Sequence, residues 1–211
     1  MRRKIHQVCR GGSIVVLQAV TFLASELLHI KLWLNNVKCG RHVSSGGGGV
    51  VSLQISPYAR EVRIGDYVSF NNYESVGWFA KCSLWVKQDA TLVIGHHSGL
   101  SGTLLFATRS ITIGNYVKIG GGTRIFDTDC HPLDYVRRRH TNEGTIAEPI
   151  VIEDDVFIGA GCIIMKGIHI GARSIVAAGS VVTRNIPADE IWGGCPAKMI
   201  RKLDHEKNIS C

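Results

Sequence analysis

Aliphatic residues recur at every sixth position through the C-terminal part of the chain. Ile152, Ile158, Ile164, Ile170, Val176 and Val182 stand six apart without a slip. The residue after each is often small (Gly159, Gly171, Ala177), and the fourth after each is small or aliphatic: Val156, Cys162, Ile168, Ser174, Ser180, Ile186. Upstream, Ile113, Ile119 and Ile125 keep the period, with Val117 and Thr123 in the fourth place. Ile94, Leu100 and Phe106 form a further run, and "VRIGDYVSF" (62–70) is an isolated unit around Ile64. Between Phe70 and Ala90 the pattern blurs. A period of six fits neither the 3.6-residue turn of an α-helix nor the alternation of a simple strand; it fits a short strand, a bend and another short strand. The β-branched residues suit the strands and the small residues suit tight corners. Stacking such units buries a continuous aliphatic column and pairs each strand with the coil above and below. The spacing predicts an all-β chain wound as a β-helix, and leaves the hand of the coil open.

One segment before the repeats has a different pattern. "SIVVLQAVTFLASELLHIKLWL" (13–34) is apolar, but its charge-free stretch, 11–25, falls short of the roughly 20 residues a membrane span needs. Glu26, His29 and Lys31 then interrupt it, and no small-residue cleavage site follows. The segment predicts an amphipathic helix that packs on its own protein; the sharper alternative is a weak contact with a membrane surface. Charge supports that alternative. The chain carries +7 overall, and residues 1–41 hold seven basic residues (Arg2, Arg3, Lys4, Arg10, Lys31, Lys38, Arg41) against Glu26 alone. The remainder is close to neutral, which argues against a nucleic-acid groove through the main domain. Seven scattered cysteines without a C-x-x-C pair suggest reduced thiols in a cytoplasmic protein, not a disulfide framework or a zinc site. The predicted organisation is a helical N-terminal segment at 1–45, a β-helix domain at 46–196, and a short basic helix with a tail at 197–211.

The repeat breaks once in a way that suggests chemistry. After Ile125 the period stops at "RIFDTDCHPLDYVRRRH" (124–140) and resumes at "PIVIEDD" (149–155), so a loop leaves the coil at about 127–149. Loops on a rigid scaffold are where functional groups tend to sit. Asp127, Asp129 and His131 alternate there, and an extended chain points all three to one side. His131 is then the candidate base and Asp129 the carboxylate that orients it, with a corner-forming aspartate as the plain alternative. Cys130 faces the opposite way, which argues against a thiol nucleophile. "RRRH" (137–140) reads as a solvated loop face, or as a contact with an anionic sugar or a neighbouring subunit.

"IVIEDDVFIGAGCIIMKGIHIGARSIVAAGSVVTRNIPADEIWGGCPAKMIRKL" (150–203), with its "AAGSVVT…IP…GCPAK" ending, resembles the hexapeptide-repeat acyltransferases. It is most similar to the branch of maltose, galactoside and capsular-polysaccharide O-acetyltransferases, over about residues 60–203. The resemblance implies a left-handed parallel β-helix with three faces per turn, homotrimers with sites between subunits, and acetyl-CoA as donor, with no metal. "DTDCHPLD" matches the motif around the family's catalytic histidine, which places that role on His131. By the same matching Phe157, Gly159, Ala160 and Ala178 line the coenzyme groove. The Ala160 amide is the oxyanion donor, and Thr183, Arg184, Lys198 and Arg201 meet the pantetheine arm or phosphates. Phe157 stands where the family often has Trp, and Arg184 where Lys is commoner. Ser101, in "HHSGLSGTLL" (96–105), and Asp127 are the candidate acceptor contacts. The implied activity is O-acetylation of a sugar or polysaccharide-precursor hydroxyl by direct transfer. Alternatives are another acceptor (serine, an amino-sugar nitrogen, an antibiotic) or a non-catalytic or metal-binding β-helix, for which His96, His97 and His131 are the histidines to test. Tyr73, Trp78, Phe79 and Trp85 either stack on a sugar or pack.

Overall fold

The computed structural model describes residues 2–47, 49–72 and 81–204, with side chains from residue 18 onward. The period of six resolves into three parallel sheets that share one interior. The first sheet holds Lys38–Cys39, Glu61–Ile64, Thr91–Ile94, Ser110–Ile113, Ile150–Ile152 and His169–Ile170. The second begins with Ser44–Gly46, Ser69–Asn71, Gly99–Ser101, Lys118–Ile119, Phe157–Ile158 and Ile175–Val176; the third runs from Ser52–Ile55 to Val181–Val182. The chain visits the sheets in the order first, second, third on each turn, so the prism has three corners. Register confirms the columns: Ile113 lies beside Ile152, Ile119 beside Ile158 and Ile125 beside Ile164. All six members of the run from Ile152 to Val182 are buried, as are the six residues in the fourth place after them.

Two details of the pattern are corrected. The inward residue beside Ile125 is Leu105, fully buried, and Phe106 faces outward. Gly102, at φ +47°, turns the chain from Leu100 to Leu105 with one residue fewer than the coil above uses between Ile119 and Ile125. The C-terminal helix expected from 197 is a strand. Glu190–Gly194 and Ala197–Lys202 pair antiparallel at the end of the second sheet, Glu190 beside Lys202 and Gly194 beside Ala197. A hairpin supplies backbone partners to Ile175–Val176, the last hexapeptide strand of that sheet, and a helix cannot. Residues 205–207 of the expected helix lie outside the described residues, as do Tyr73, Trp78 and Phe79.

The N-terminal helix α1 (Arg2–Leu34) closes the other end. Ala24, Leu28 and Leu32 are buried on the first coil. His29 Nε2 lies 2.9 Å from the Val43 carbonyl, and Ser25 Oγ accepts the Ser45 amide at 3.0 Å. The coil itself begins at Lys38, inside the segment read as helical from sequence.

Corners between the first and second sheets use non-glycine residues at positive φ. His42, Tyr67, His97, Tyr116, Asp155 and Arg173 adopt φ between +57° and +61°. That conformation costs about 1–2 kcal/mol per residue. The first four rings stack at 4.7, 4.8 and 4.8 Å, and ring contact offsets part of the cost. On the outer face of the third sheet Trp85 packs on Phe106 at 4.6 Å with Lys87 over its ring, so this aromatic packs.

Candidate active site

The break in the repeat is a loop on two anchored legs. Thr128 bridges Ala147 antiparallel, the Asp129 amide donates to the Ile146 carbonyl at 3.0 Å, and the Glu148 amide donates to the Asp127 carbonyl at 2.8 Å. A single helical turn, α2 (Tyr135–Arg138), sits farther out, capped by Asp134 Oδ1, which accepts the Arg137 amide at 2.7 Å. Of the arginine run, Arg138 folds back to donate to the Pro132 and Leu133 carbonyls, and all four residues of "RRRH" are exposed.

The three alternating residues do not share one role. Asp127 is fully buried. Its Oδ2 accepts the amides of Arg109 (2.7 Å), Ser110 (2.8 Å) and Thr108 (3.0 Å), and its Oδ1 accepts the Thr108 amide and hydroxyl at 2.8 Å. A carboxylate committed in this way has no face left for an acceptor, so the expected substrate contact at Asp127 is replaced by a structural one: it ties the foot of the loop to the coil below. Asp129 is nearly buried, and its Oδ1 pairs with Lys166 Nζ at 3.0 Å. It does not meet the imidazole. His131 is exposed, and its Nδ1 lies 3.0 Å from Oδ1 of Asn142. With an amide oxygen as the acceptor, Nδ1 carries the proton and Nε2 keeps its lone pair. Asn142 was not legible in the sequence, because ten residues of loop, a helical turn among them, separate it from His131. Cys130 has its thiol pKa raised, by burial first and then by the Asp129 and Asp127 carboxylates, so it stays protonated and poorly nucleophilic.

A second constellation lies on the outer face of the second sheet. Lys118, Phe157, Ile175, Ile191 and Arg201 form one register column across four neighbouring pairs. Phe157 is 48% exposed, and the column is apolar in the middle with a cation at each end. Below it a groove of about 270 Å³ is lined by Asn71, Ser101, Lys118 and Phe157, with Asn71 Nδ2 3.4 Å from Ser101 Oγ. Lys118, which donates to the His97 carbonyl at 2.9 Å, is a candidate that only register reveals.

The corner after this sheet is built from small residues. Gly159 is closed in: a Cβ there would stand 2.7 Å from Ala178 Cα, so the coils need glycine. Gly122, Gly161 and Gly179 adopt φ between +70° and +74°, and a Cβ on any of them would meet nothing within 4 Å. The amides of Ala160 and Ala178 have no hydrogen-bond partner among the described residues. An open ledge with free amides and apolar walls suits the amide-bearing arm of a coenzyme A thioester. Lys198 lies on the terminal hairpin with Arg201, both exposed, whereas Thr183 and Arg184 follow the last strand of the third sheet, one face away. His131 lies elsewhere again. Its loop leaves between the third and first sheets, at the corner opposite the second sheet. His96 and His97 sit at the first–second corner, so the three histidines do not converge. A larger groove of about 610 Å³ crosses the first sheet, past His96 and Asn115, and contains no residue of the His131 loop.

Residues 149–184 match the family model described as the hexapeptide repeat of succinyl-transferase. A Schizosaccharomyces pombe protein named for acetyltransferase activity is 44% identical over 96 residues, which cover 46% of this chain and 45% of that protein. A Staphylococcus aureus 2,3,4,5-tetrahydropyridine-2,6-dicarboxylate N-acetyltransferase is 48% identical over 56 residues, 26% of this chain and 23% of the other. The chain thus spans less than half the length of these curated relatives. A hexapeptide-repeat-containing acetyltransferase of Vibrio cholerae O1 biovar eltor, solved with acetyl coenzyme A, is 30% identical. That match covers 89% of this chain and 88% of the other, with a TM-score of 0.56. The chain belongs to the hexapeptide-repeat acetyltransferase family. Its coil is accordingly the left-handed parallel β-helix of that family, an exception to the right-handed crossover rule for parallel strands. A maltose O-acetyltransferase of Clostridium difficile 630 is similar at 32% identity over 54% of this chain and 59% of the other, with a TM-score of 0.50.

Proposed function

We propose that the protein transfers an acetyl group from acetyl-CoA to a hydroxyl of a sugar or polysaccharide precursor. The observation that carries this reading is the His131–Asn142 pair at the outer part of a well-anchored loop, with Nε2 left as a free base. His131 Nε2 takes the hydroxyl proton as the oxygen attacks the thioester carbonyl carbon. The Ala160 amide steadies the oxyanion, the carbon–sulfur bond breaks, and the imidazolium returns its proton to the thiolate. Phe157, Gly159 and Ala178 would wall the pantetheine arm, with Lys198, Arg201, Thr183 and Arg184 toward the polar end of the coenzyme. Ser101 and its neighbour Asn71 offer hydrogen bonds to the acceptor.

The base and the groove lie on opposite sides of one prism. That placement favours a homotrimer in which the histidine loop of one subunit faces the second-sheet groove of the next. The sugar acceptor is supported by likeness to the maltose O-acetyltransferase. Likeness to the N-acetyltransferase of S. aureus favours a second reading, an amine acceptor for the same machinery. The five cysteines whose side chains are described are free, in keeping with a cytoplasmic setting where thiols stay reduced.

The test is coenzyme A release from acetyl-CoA with a panel of sugar, amino-sugar and serine acceptors. His131→Ala should lower turnover about 10²–10⁴-fold with coenzyme A affinity little changed. Wild-type turnover in that variant would refute the assignment, and an amine as the preferred acceptor would select the second reading.

A further inference from the structure

Helix α1 (Arg2–Leu34) is apolar on two opposite sides, and only one of them is used. Ala24, Leu28 and Leu32 face the first coil and are buried. On the far side Leu23 (60% exposed), Leu27 (52%), Ile30 (54%) and Leu34 (68%) follow the spacing of a single helical stripe. Phe22 and Trp33, exposed at 64% and 77%, lie beyond one edge of it. No charged residue stands within the stripe; Glu26 lies between it and the two aromatics, and Lys31 borders the other edge. The helix needs this outer face neither for its fold nor for the site described above.

Charge identifies the occupant. Residues 1–41 carry seven basic residues and one acid, and four of the basic residues fall within the first ten. Lys38 and Arg41 are near acids of the coil, Glu61 and Asp66, but Lys31 has no acidic partner among the described residues. A second copy of the chain is a poor complement. Seventeen of the 24 basic and 16 of the 17 acidic residues lie after residue 41, a balance of only +1, and two such helices would repel each other. Crossing a bilayer is also a poor fit, since among the described residues no helix is long and apolar enough. An apolar stripe beneath a basic surplus suits the headgroup–acyl boundary of an anionic leaflet.

We propose that the outer face of α1 docks the protein on an anionic phospholipid surface, with Leu23, Leu27 and Ile30 in the boundary and the basic residues over the headgroups. Docking holds the β-helix beside the membrane through its N-terminal end. It is independent of the catalytic reading, because no residue of the His131 loop or the second-sheet groove takes part.

The test is flotation of the full chain with phosphatidylcholine vesicles, with and without phosphatidylglycerol. The chain should float with the anionic vesicles and stay behind with the neutral ones, and raised salt should weaken the association. Leu23→Glu/Leu27→Glu/Ile30→Glu should lower vesicle binding at least tenfold with an unchanged melting curve. In a gentler arm, anionic vesicles should blue-shift tryptophan fluorescence in the wild type and not in Trp33→Phe. Failure of the wild type to float with anionic vesicles, or equal flotation of the triple variant, would overturn the proposal. So would a fall in solution mass of the triple variant without any vesicle binding, which would make the face a contact between copies.

Discussion

His131 and Asn142 are joined from Nδ1 to Oδ1 at 3.0 Å across ten intervening residues of loop. The asparagine thereby orients the imidazole, a task that the alternation of residues gave to Asp129, and with its oxygen as acceptor it selects the Nδ1–H tautomer. Asn142→Ala should lower kcat more than it raises KM, because the ring is freed and not removed. Asn142→Asp should raise the imidazole pKa through the added charge. A base must be neutral to act, so the acid limb of the kcat/KM profile should move to higher pH in that variant. An unmoved limb in both variants would separate Asn142 from the base.

Asp127 closes the foot of the loop by accepting from Thr108, Arg109 and Ser110. Asp127→Ala leaves three part-buried amides without their acceptor. Hydrogen bonds to a charged group contribute about 1.5–3 kcal/mol each, so the loss should be about 3 kcal/mol or more, read by urea unfolding. A change below about 0.5 kcal/mol, typical of an uninvolved surface position, would contradict the assigned role.

Cys130 adjoins His131, but burial and two carboxylates hold its thiol protonated. Cys130→Ser should keep most of the wild-type turnover, and no acetylated enzyme should appear by mass spectrometry after incubation with acetyl-CoA. Loss of activity together with such an intermediate in the wild type would restore covalent catalysis.

The ledge after the second sheet depends on small side chains. Ala178 is exposed at that corner, and its side chain is not part of the core. Ala178→Leu should leave the melting temperature nearly unchanged and raise KM for acetyl-CoA at least several-fold. An unchanged KM would move the coenzyme elsewhere.

Two half-buried carboxylates report on acid stability. Asp66 has its pKa lowered from 3.8, chiefly by the Arg41 amide. Glu153 has its pKa lowered from 4.5, chiefly by the Ala172 amide and then by the His169 hydrogen bond. Groups depressed in the folded state contribute stability in full above their ordinary values and lose it as pH falls through the folded ones. Melting temperature should therefore decline below about pH 4. The decline should be shallower in Glu153→Gln/Asp66→Asn, and an unchanged slope would show that these bonds persist in the unfolded chain.

Much of the scaffold was legible because a stacked coil repeats one local rule. From Ile152 to Val182 the inward residues were read off directly, and all are buried. The rule failed where one residue was missing: Gly102 shortens a corner, and Leu105 replaces Phe106 inside. It failed again at 197–202, where local sequence suggested a helix and the open second sheet recruited a strand. The site was legible only as an interruption. Asp127, Asp129 and His131 were equivalent by alternation, but a loop on two legs does not stay extended. The three therefore separated into a buried anchor, a partner of Lys166 and an exposed imidazole.

The sequence by itself determined the β-helix, the place where it opens, the helical N-terminus and the histidine that stands at the break. Those features depend on spacing and composition, which survive without knowledge of neighbours. Only the tertiary structure decided that Asn142 serves His131, that Lys118, Phe157 and Arg201 share one column, and that α1 keeps an unused apolar face. Each of these depends on which residues meet across coils or across a loop, and contacts between residues eleven or more positions apart leave no period in the chain.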